Sequence, residues 1–456
     1  MKPELAAPSP PPDQLPLFQF LRMARDSSIS TIPAAAFTRP YLTRKILWRR
    51  MLTLNHPEGV KHVLVDNAAN YAKTGLIRRM LEPGIGRGLV TAEQERWQLH
   101  RRIMTPAFKQ LDRYAPAMAE AASSLARRWD ALPASSVIDA SAAMMELTLG
   151  IIARTMFAFD PGRDFAVIEA SLARYQREMR FGLTDFLGLP DPLPFRTQAR
   201  ARRALGGLDE AMARLLAGRN ATTRLLAGRE PKANDGTPDL LDLLLTAVAE
   251  GQISPQDLRD EVMTIFIAGH ETTAQALSWA WYLLSVHPEH EALLHEEIDR
   301  LGHRLPGFSD LPALAYTRMV LEETMRLYPP VHTVSRQALQ PDEVLGQKVA
   351  KGGMVFILPW ILHRHRDWWE HPERFEPGRF APDRPQKHPR YAYIPFGAGP
   401  RICLGASFAM TEAILILATL AQRYRLRPVP GHRVEPVGLI TLRPREGLRL
   451  CLERRS

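Results

Sequence analysis

The sequence predicts a mainly α-helical domain with a minor β-sheet region, on three observations. Apolar residues recur at three- and four-residue steps over many long stretches. One of these, opening at Ser254-Pro255, runs for about thirty residues and is apolar over much of its circumference. Strand-like patterns, by contrast, are short and confined to the beginning of the chain and the part beyond residue 333.

Taken in order, Leu17 to Arg25 has a short helical pattern and Ile46 to Asn55 an extended one, with a helix start at His56-Pro57-Glu58. Gly75 to Thr91 is punctuated by Pro83, Gly84, Gly86 and Gly88 and reads as a mobile loop. Trp97 to Phe108 reads as a helix, because Trp97, His100, Arg101 and Met104 share one face. Long helices are expected over Asp112 to Leu132, Ala140 to Phe159, Asp164 to Phe181 and Arg196 to Ala227, the last two separated by the prolines of Phe186 to Pro194. Ser254 is an N-cap and Pro255 suits the first helical position, so the longest helix starts there and runs past Trp281. Apolar nearly all round, it should cross the middle of the molecule. Helices near Pro288 to Leu301 and Leu311 to Tyr328 follow, the second stopped by Pro329-Pro330. Short strands are expected at Thr333 to Leu339, Val355 to Leu358, Leu439 to Leu442 and Leu448 to Leu452. Residues 1–16, with the prolines from Pro8 to Pro12, form an arm, and 17–456 a single domain.

With 45% hydrophobic and 24% charged residues, the 456-residue chain is globular in composition, neither disordered nor fibrous. Its net charge of +10 raises the question of nucleic acid. The basic residues, however, are spread out, with short groups at Arg101-Arg102, Arg200 to Arg203 and Arg423 to Arg427 interleaved with apolar positions. That pattern favours a docking face for an acidic protein over a phosphate-binding surface. Two cysteines, Cys403 and Cys451, exclude a disulfide framework and any C-x-x-C metal site, and Cys451 reads as structural. The N-terminus has no signal pattern, and no apolar run reaches the ~20 residues that a bilayer requires, so a cytoplasmic protein without a membrane anchor is expected.

Chemistry concentrates in Phe396-Gly397-Ala398-Gly399-Pro400-Arg401-Ile402-Cys403-Leu404-Gly405, a glycine-rich loop that delivers one cysteine to a helix over Leu404 to Gln422. Free amides at a helix start favour the thiolate, and a thiolate is a good axial ligand for haem iron. Arg401 is placed to meet a haem propionate. This loop resembles the haem-binding signature of the cytochrome P-450 family, Phe-Gly-x-Gly-x-Arg-x-Cys-x-Gly, with every fixed position filled.

The resemblance implies the family's fold, with haem b between the long helix and the helix after Cys403, and it directs attention to other segments. Ala268-Gly269-His270-Glu271-Thr272-Thr273 resembles the oxygen-activation motif. Gly269 would leave the iron uncovered, and Thr272 would bond back to a carbonyl one turn earlier, opening a groove in the helix. Glu271 and the Thr272 hydroxyl would deliver protons. Glu323-Thr324-Met325-Arg326 resembles the family's Glu-x-x-Arg, and Arg374 in His371-Pro372-Glu373-Arg374-Phe375 stands for the arginine paired with it. These three would form a structural network fixing the haem loop. Trp97 and Arg101, one turn apart, suit a propionate, with His100 assisting and Arg336 a further candidate. Family positions facing the iron correspond to Val90, Thr264, Ile265, Ala268, Val334 and Ile440, with Phe181 and Leu187 from a lid, which implies a lipophilic substrate.

The function implied is insertion of one O2-derived oxygen atom into such a substrate, by hydroxylation or epoxidation. Electrons would come from a separate ferredoxin or flavodoxin docking near Arg102, Lys109, Arg113, Lys387 and Arg390. A peroxide-driven peroxygenase of the same fold would need no proton relay, and a non-turnover haem-thiolate sensor would need only the Cys403 loop.

Overall fold

A computed structural model describes residues 5–46, 49–159, 165–178, 203–208, 237–384 and 388–455, with the single positions 162, 210 and 214. The expected separator Phe186 to Pro194 lies outside the described residues, as does most of the helix expected over Arg196 to Ala227.

Helices dominate: α1 (Leu17–Asp26), α2 (Pro57–Lys61), α3 (Gly75–Ile85), α4 (Gln94–Met104), α5 (Leu111–Asp130), α6 (Ala140–Phe157), α7 (Phe165–Glu178), α8 (Leu240–Ala249), α9 (Pro255–Val286), α10 (Pro288–Asp299), α11 (Ala315–Leu327), α12 (Pro359–Leu362) and α13 (Ala406–Ala421). Among the strands, β1 (Tyr41–Ile46), β2 (Arg49–Leu54), β3 (Tyr71–Ala72), β5 (Val334–Ala338) and β8 (Met354–Ile357) form one sheet in the order β1-β2-β8-β5-β3. Only its β2–β8 pair is parallel. β4 (Val137–Asp139), β9 (Tyr424–Pro428) and β12 (Arg449–Arg454) make a second sheet, and β6 (Asp342–Val344) pairs with β7 (Gln347–Val349). β10 (Pro436–Gly438) and β11 (Leu442–Pro444) form a hairpin whose turn takes up 439–441, the residues expected to be a strand.

Helix α9 organises the rest. Ser254 accepts from the Asp257 amide while Asp257 accepts from that of Ser254, a reciprocal cap that fixes where 32 residues of helix begin. α6 packs along α9, with Phe157 stacked on Phe266 at 4.8 Å. α6, 18 residues long, is by length and composition apolar enough to cross a membrane, but 67% of it is buried inside the protein. At the far end of α9, Trp279 stacks on Tyr328 at 4.1 Å and donates to Leu442 O. The proline-rich arm is anchored there too, through Ala6, which donates to the Tyr282 hydroxyl and accepts from that of Tyr328.

The segment read as a mobile loop is helical over Gly75–Ile85. Thr74 caps the Ile77 amide, and Pro83 falls in the last turn, so that its missing donor costs the helix a single bond, to Arg79 O. Only the stretch from Gly86 onward leaves the helix, at a positive φ of 60°.

Several imidazoles are buried in neutral form. Desolvation brings His270 and His332 to about 4 and His363 to about 3. His295 is brought to about 3 by desolvation and the nearby charges of Arg455 and Arg425. Because these folded values lie below the unfolded 6.5, the stability they contribute is complete above pH 6.5 and is lost as pH falls toward 4. The slope is up to about 1.4 kcal/mol per pH unit for each group. The thermal midpoint should therefore fall steeply below pH 6, and a single neutral replacement such as His332→Gln should make that fall shallower. A midpoint unchanged between pH 7 and 5 contradicts this.

Candidate functional site

The loop before α13 is shaped by two glycines at positive φ, Gly397 (76°) and Gly399 (69°). A Cβ on Gly399 would lie 1.8 Å from Leu64 O, so no other residue fits there. The Cys403 amide donates to Phe396 O at 2.9 Å, closing the loop, and Arg101 donates to Ile402 O at 2.8 Å. α13 begins at Ala406, three residues after the cysteine. The Cys403 side chain is exposed, yet burial is the largest influence on its thiol and pushes it up, against the Gly405 amide and the Arg101 charge, which pull it down. Both statements hold if the sulfur faces an open space enclosed by the protein.

Basic groups line the same region. Lys73 and Arg336 keep some open surface, yet are strongly desolvated. Burial, with repulsion from Arg401 and Arg336, brings the Lys73 ammonium down to about 7, in spite of Glu93 and Glu261. Burial and Arg401 likewise bring Arg336 to about 10. Arg401 pairs with Glu93 at 2.5 Å and lies 4.1 Å over the Trp97 ring. Three basic side chains thus gather around Glu93, with the Cys403 sulfur two residues from one of them. That donor set fits haem, an iron porphyrin with two carboxylates.

Two residues of α4 have further partners. Arg101 holds the cysteine loop by its carbonyl, its guanidinium 5.8 Å from the Trp97 ring. His100 is buried, with Nδ1 2.5 Å from Glu261 Oε1 and Nε2 3.9 Å from Asp257 Oδ1, so both ring nitrogens face carboxylates of α9. Lys73 and Glu93 had no distinguishing signal in the sequence.

Near its middle, α9 keeps open surface at Ile267, Ala268, Gly269 and Thr272, with buried residues on both sides. Thr272 Oγ1 donates to Ala268 O at 2.9 Å, as expected. Thr273 and Thr148 add hydroxyl bonds to the carbonyls of Gly269 (3.3 Å) and His270 (2.9 Å). The helix stays α-helical from Pro255 to Val286 through these added bonds. Gly269 serves packing, since a Cβ there would come within 2.9 Å of Ile152 on α6. Glu271 is buried and accepts from Thr441 Oγ1 at 2.5 Å, which brings Ile440 in the β10–β11 turn beside α9.

Among the residues read as substrate contacts, Val90, Ala268, Val334 and Ile440 keep open surface. Val334 and Arg336, two apart on β5, project from the same side of the strand. Thr264 is fully buried with its hydroxyl toward Ile85 O, and Ile265 packs in the core with 7% of its surface open. Phe181, Leu187 and the basic Lys387 lie outside the described residues.

Glu323 and Arg326 form a bidentate pair at 2.7 and 2.8 Å, both fully buried. All five guanidinium N–H bonds of Arg326 are used, the other three by the carbonyls of His363, Pro372 and Arg374. The second arginine at Glu323 is Arg379, at 3.2 Å, and Arg374 contributes only its backbone. Pro372-Glu373-Arg374-Phe375 and Pro377-Gly378-Arg379-Phe380 repeat one Pro-x-Arg-Phe pattern, which is why the sequence alone misled. His363 links this network to the cysteine loop: its carbonyl accepts from Arg326, and its Nε2 accepts from the Ile394 amide at 2.9 Å.

A family model described as Cytochrome P450 matches residues 8–452. Cyclooctatin synthase of Streptomyces melanosporofaciens is 36% identical over 84% of this chain and 82% of its own length. Cyclooctat-9-en-7-ol 5-monooxygenase of the same organism is 34% identical over 82% and 80%, and pentalenene oxygenase of Streptomyces avermitilis 32% identical over 88% and 87%.

Proposed function

The chain belongs to the cytochrome P450 family and is a haem-dependent monooxygenase, and from that premise we propose that Cys403 holds haem b and that the substrate is a cyclic terpenoid. The observation that carries the assignment is the Cys403 loop itself, which Arg101 and two left-handed glycines hold so that an exposed cysteine stands just before the first turn of α13. Haem bound there supplies O2 binding and reductive O–O cleavage. Lys73, Arg336 and Arg401 hold the propionates, and Trp97 backs the Arg401 guanidinium. The relatives named for oxygenating pentalenene and cyclooctat-9-en-7-ol support a cyclic, lipophilic substrate, as do Val90, Ala268, Val334 and Ile440, which offer it no charge.

Protons reach the oxygen site through α9. With its own hydrogen committed to Ala268 O, Thr272 Oγ1 presents lone pairs that orient a water or accept a proton. Glu271 is the carboxylate of the relay, its Oε1 steadied by the Thr441 hydroxyl. Electrons come from a separate acidic ferredoxin or flavodoxin that docks on the side where Ile402 is exposed, near Arg102, Lys109, Arg113 and Arg390. The protein works in the cytoplasm, with α6, which is apolar and of membrane length, engaged in the core.

Thr272→Ala tests the relay. Product per electron should fall on the order of 10²-fold, within the usual range for proton-transfer groups, while O2 uptake continues and hydrogen peroxide accumulates. Unchanged coupling overturns the role of Thr272, and the absence of electron consumption in the parent protein would indicate a sensor.

A further inference from the structure

Between α4, α9 and the residues that follow α3 lies a buried cluster of charged groups that the reaction does not use. Three carboxylates project from the first two turns of α9. Asp257 meets Arg96 of α4, with His100 Nε2 3.9 Å away. Asp260 accepts from the Arg87 amide at 2.7 Å and from Gln256, and Arg259 lies 3.3 Å from it. Glu261 is fully buried and divides its two oxygens: Oε2 accepts from the Leu89 amide at 3.0 Å, and Oε1 faces His100 Nδ1.

The chain from Gly86 to Val90 is pressed against these groups. A Cβ on Gly86 would lie 2.1 Å from the Asp260 carboxylate, and one on Gly88 would lie 2.1 Å from Thr264 Oγ1 and 2.7 Å from Asp260 O. Arg96 Nε donates to Arg87 O, and Lys73 Nζ donates to the carbonyls of Leu89 and Val90. The Val90 side chain keeps open surface. A fully buried carboxylate is costly unless its hydrogen bonds are met, so the Leu89 amide and His100 are held firmly once Glu261 is in place.

We propose that Glu261 is a positioning residue for substrate selection: it seats residues 86–90 on α9, and thereby fixes how far Val90 reaches into the substrate space. Through His100 the same carboxylate ties that seat to α4, the helix that carries Trp97 and Arg101. Substrate size is thus set two turns of α9 away from Ala268, by a group that touches no substrate. The inference rests on the reading of the Cys403 site given above.

The test uses the full, haem-loaded chain carrying Glu261→Ala or the isosteric Glu261→Gln. The probes are imidazole and the bulkier clotrimazole, with hydrogen–deuterium exchange of residues 86–92 as a second readout. Glu261→Ala should change the ratio of clotrimazole to imidazole affinity by about tenfold and remove protection at Leu89, since a hydrogen bond to a charged group is lost. Glu261→Gln keeps an acceptor for Leu89 and should shift the ratio in the same direction by only about threefold. Should Glu261→Ala not fold, the Gln variant decides. Folded variants with the parental ratio and exchange overturn the inference. A parent protein lacking the red-shifted band of its reduced carbon monoxide complex overturns the Cys403 reading instead.

Discussion

Replacing Cys403 by Ser should abolish the red-shifted Soret band of the reduced carbon monoxide complex and lower product formation by at least about a thousandfold, or roughly 4 kcal/mol of barrier. The reason is electronic: a serine oxygen in the same place supplies little of the charge that a thiolate pushes toward the bound oxygen. Cys451→Ser is the matched control. Cys451 lies on β12, paired with Arg427 and Val137 in a sheet of its own, and its loss should leave the spectrum unchanged. Retention of the band in Cys403→Ser, or its loss in Cys451→Ser, places the sulfur ligand elsewhere.

Glu323→Ala should destabilise the protein by about 3 to 5 kcal/mol, because it leaves the fully buried Arg326 guanidinium without its counter-charge. Arg374→Ala should change stability by no more than about 0.5 kcal/mol, since Arg374 takes part through its backbone amide and carbonyl, and alanine keeps both. Arg379→Ala should fall between them, losing one bond to Glu323 and another to His371 O. Denaturant midpoints of the three variants measure this order. An Arg374→Ala loss equal to that of Arg379→Ala contradicts the assignment. Haem retention should follow the same order, because His363 passes the arrangement of the network on to Ile394 and the cysteine loop.

What could be read from the sequence depended on how local each signal was. Ser254, Pro255 and the apolar circumference of α9 sufficed for a helix that proved to be 32 residues long, because the cap and the burial pattern are written into consecutive residues. The cysteine loop was legible for the same reason, its glycines being demanded by backbone angles and by Leu64 O. Helix α3 was missed because Pro83 and the glycines outweighed its capped first turn. The orientations of His100 and Arg101 were beyond reach. They are decided by Glu261 and Ile402, which lie 161 and 301 residues away along the chain. Arg374 and Arg379 present the same short pattern, and only the fold shows which side chain meets Glu323.

The gathering of Lys73, Arg336 and Arg401 around Glu93 has a cellular consequence. Cations held together in a poorly hydrated place repel one another, so a partner bearing two negative charges stabilises the native chain by mass action, in proportion to the logarithm of its concentration. With the propionates placed there as proposed, a shortage of porphyrin should leave more copies open to proteolysis at any moment and shrink the standing pool of the protein.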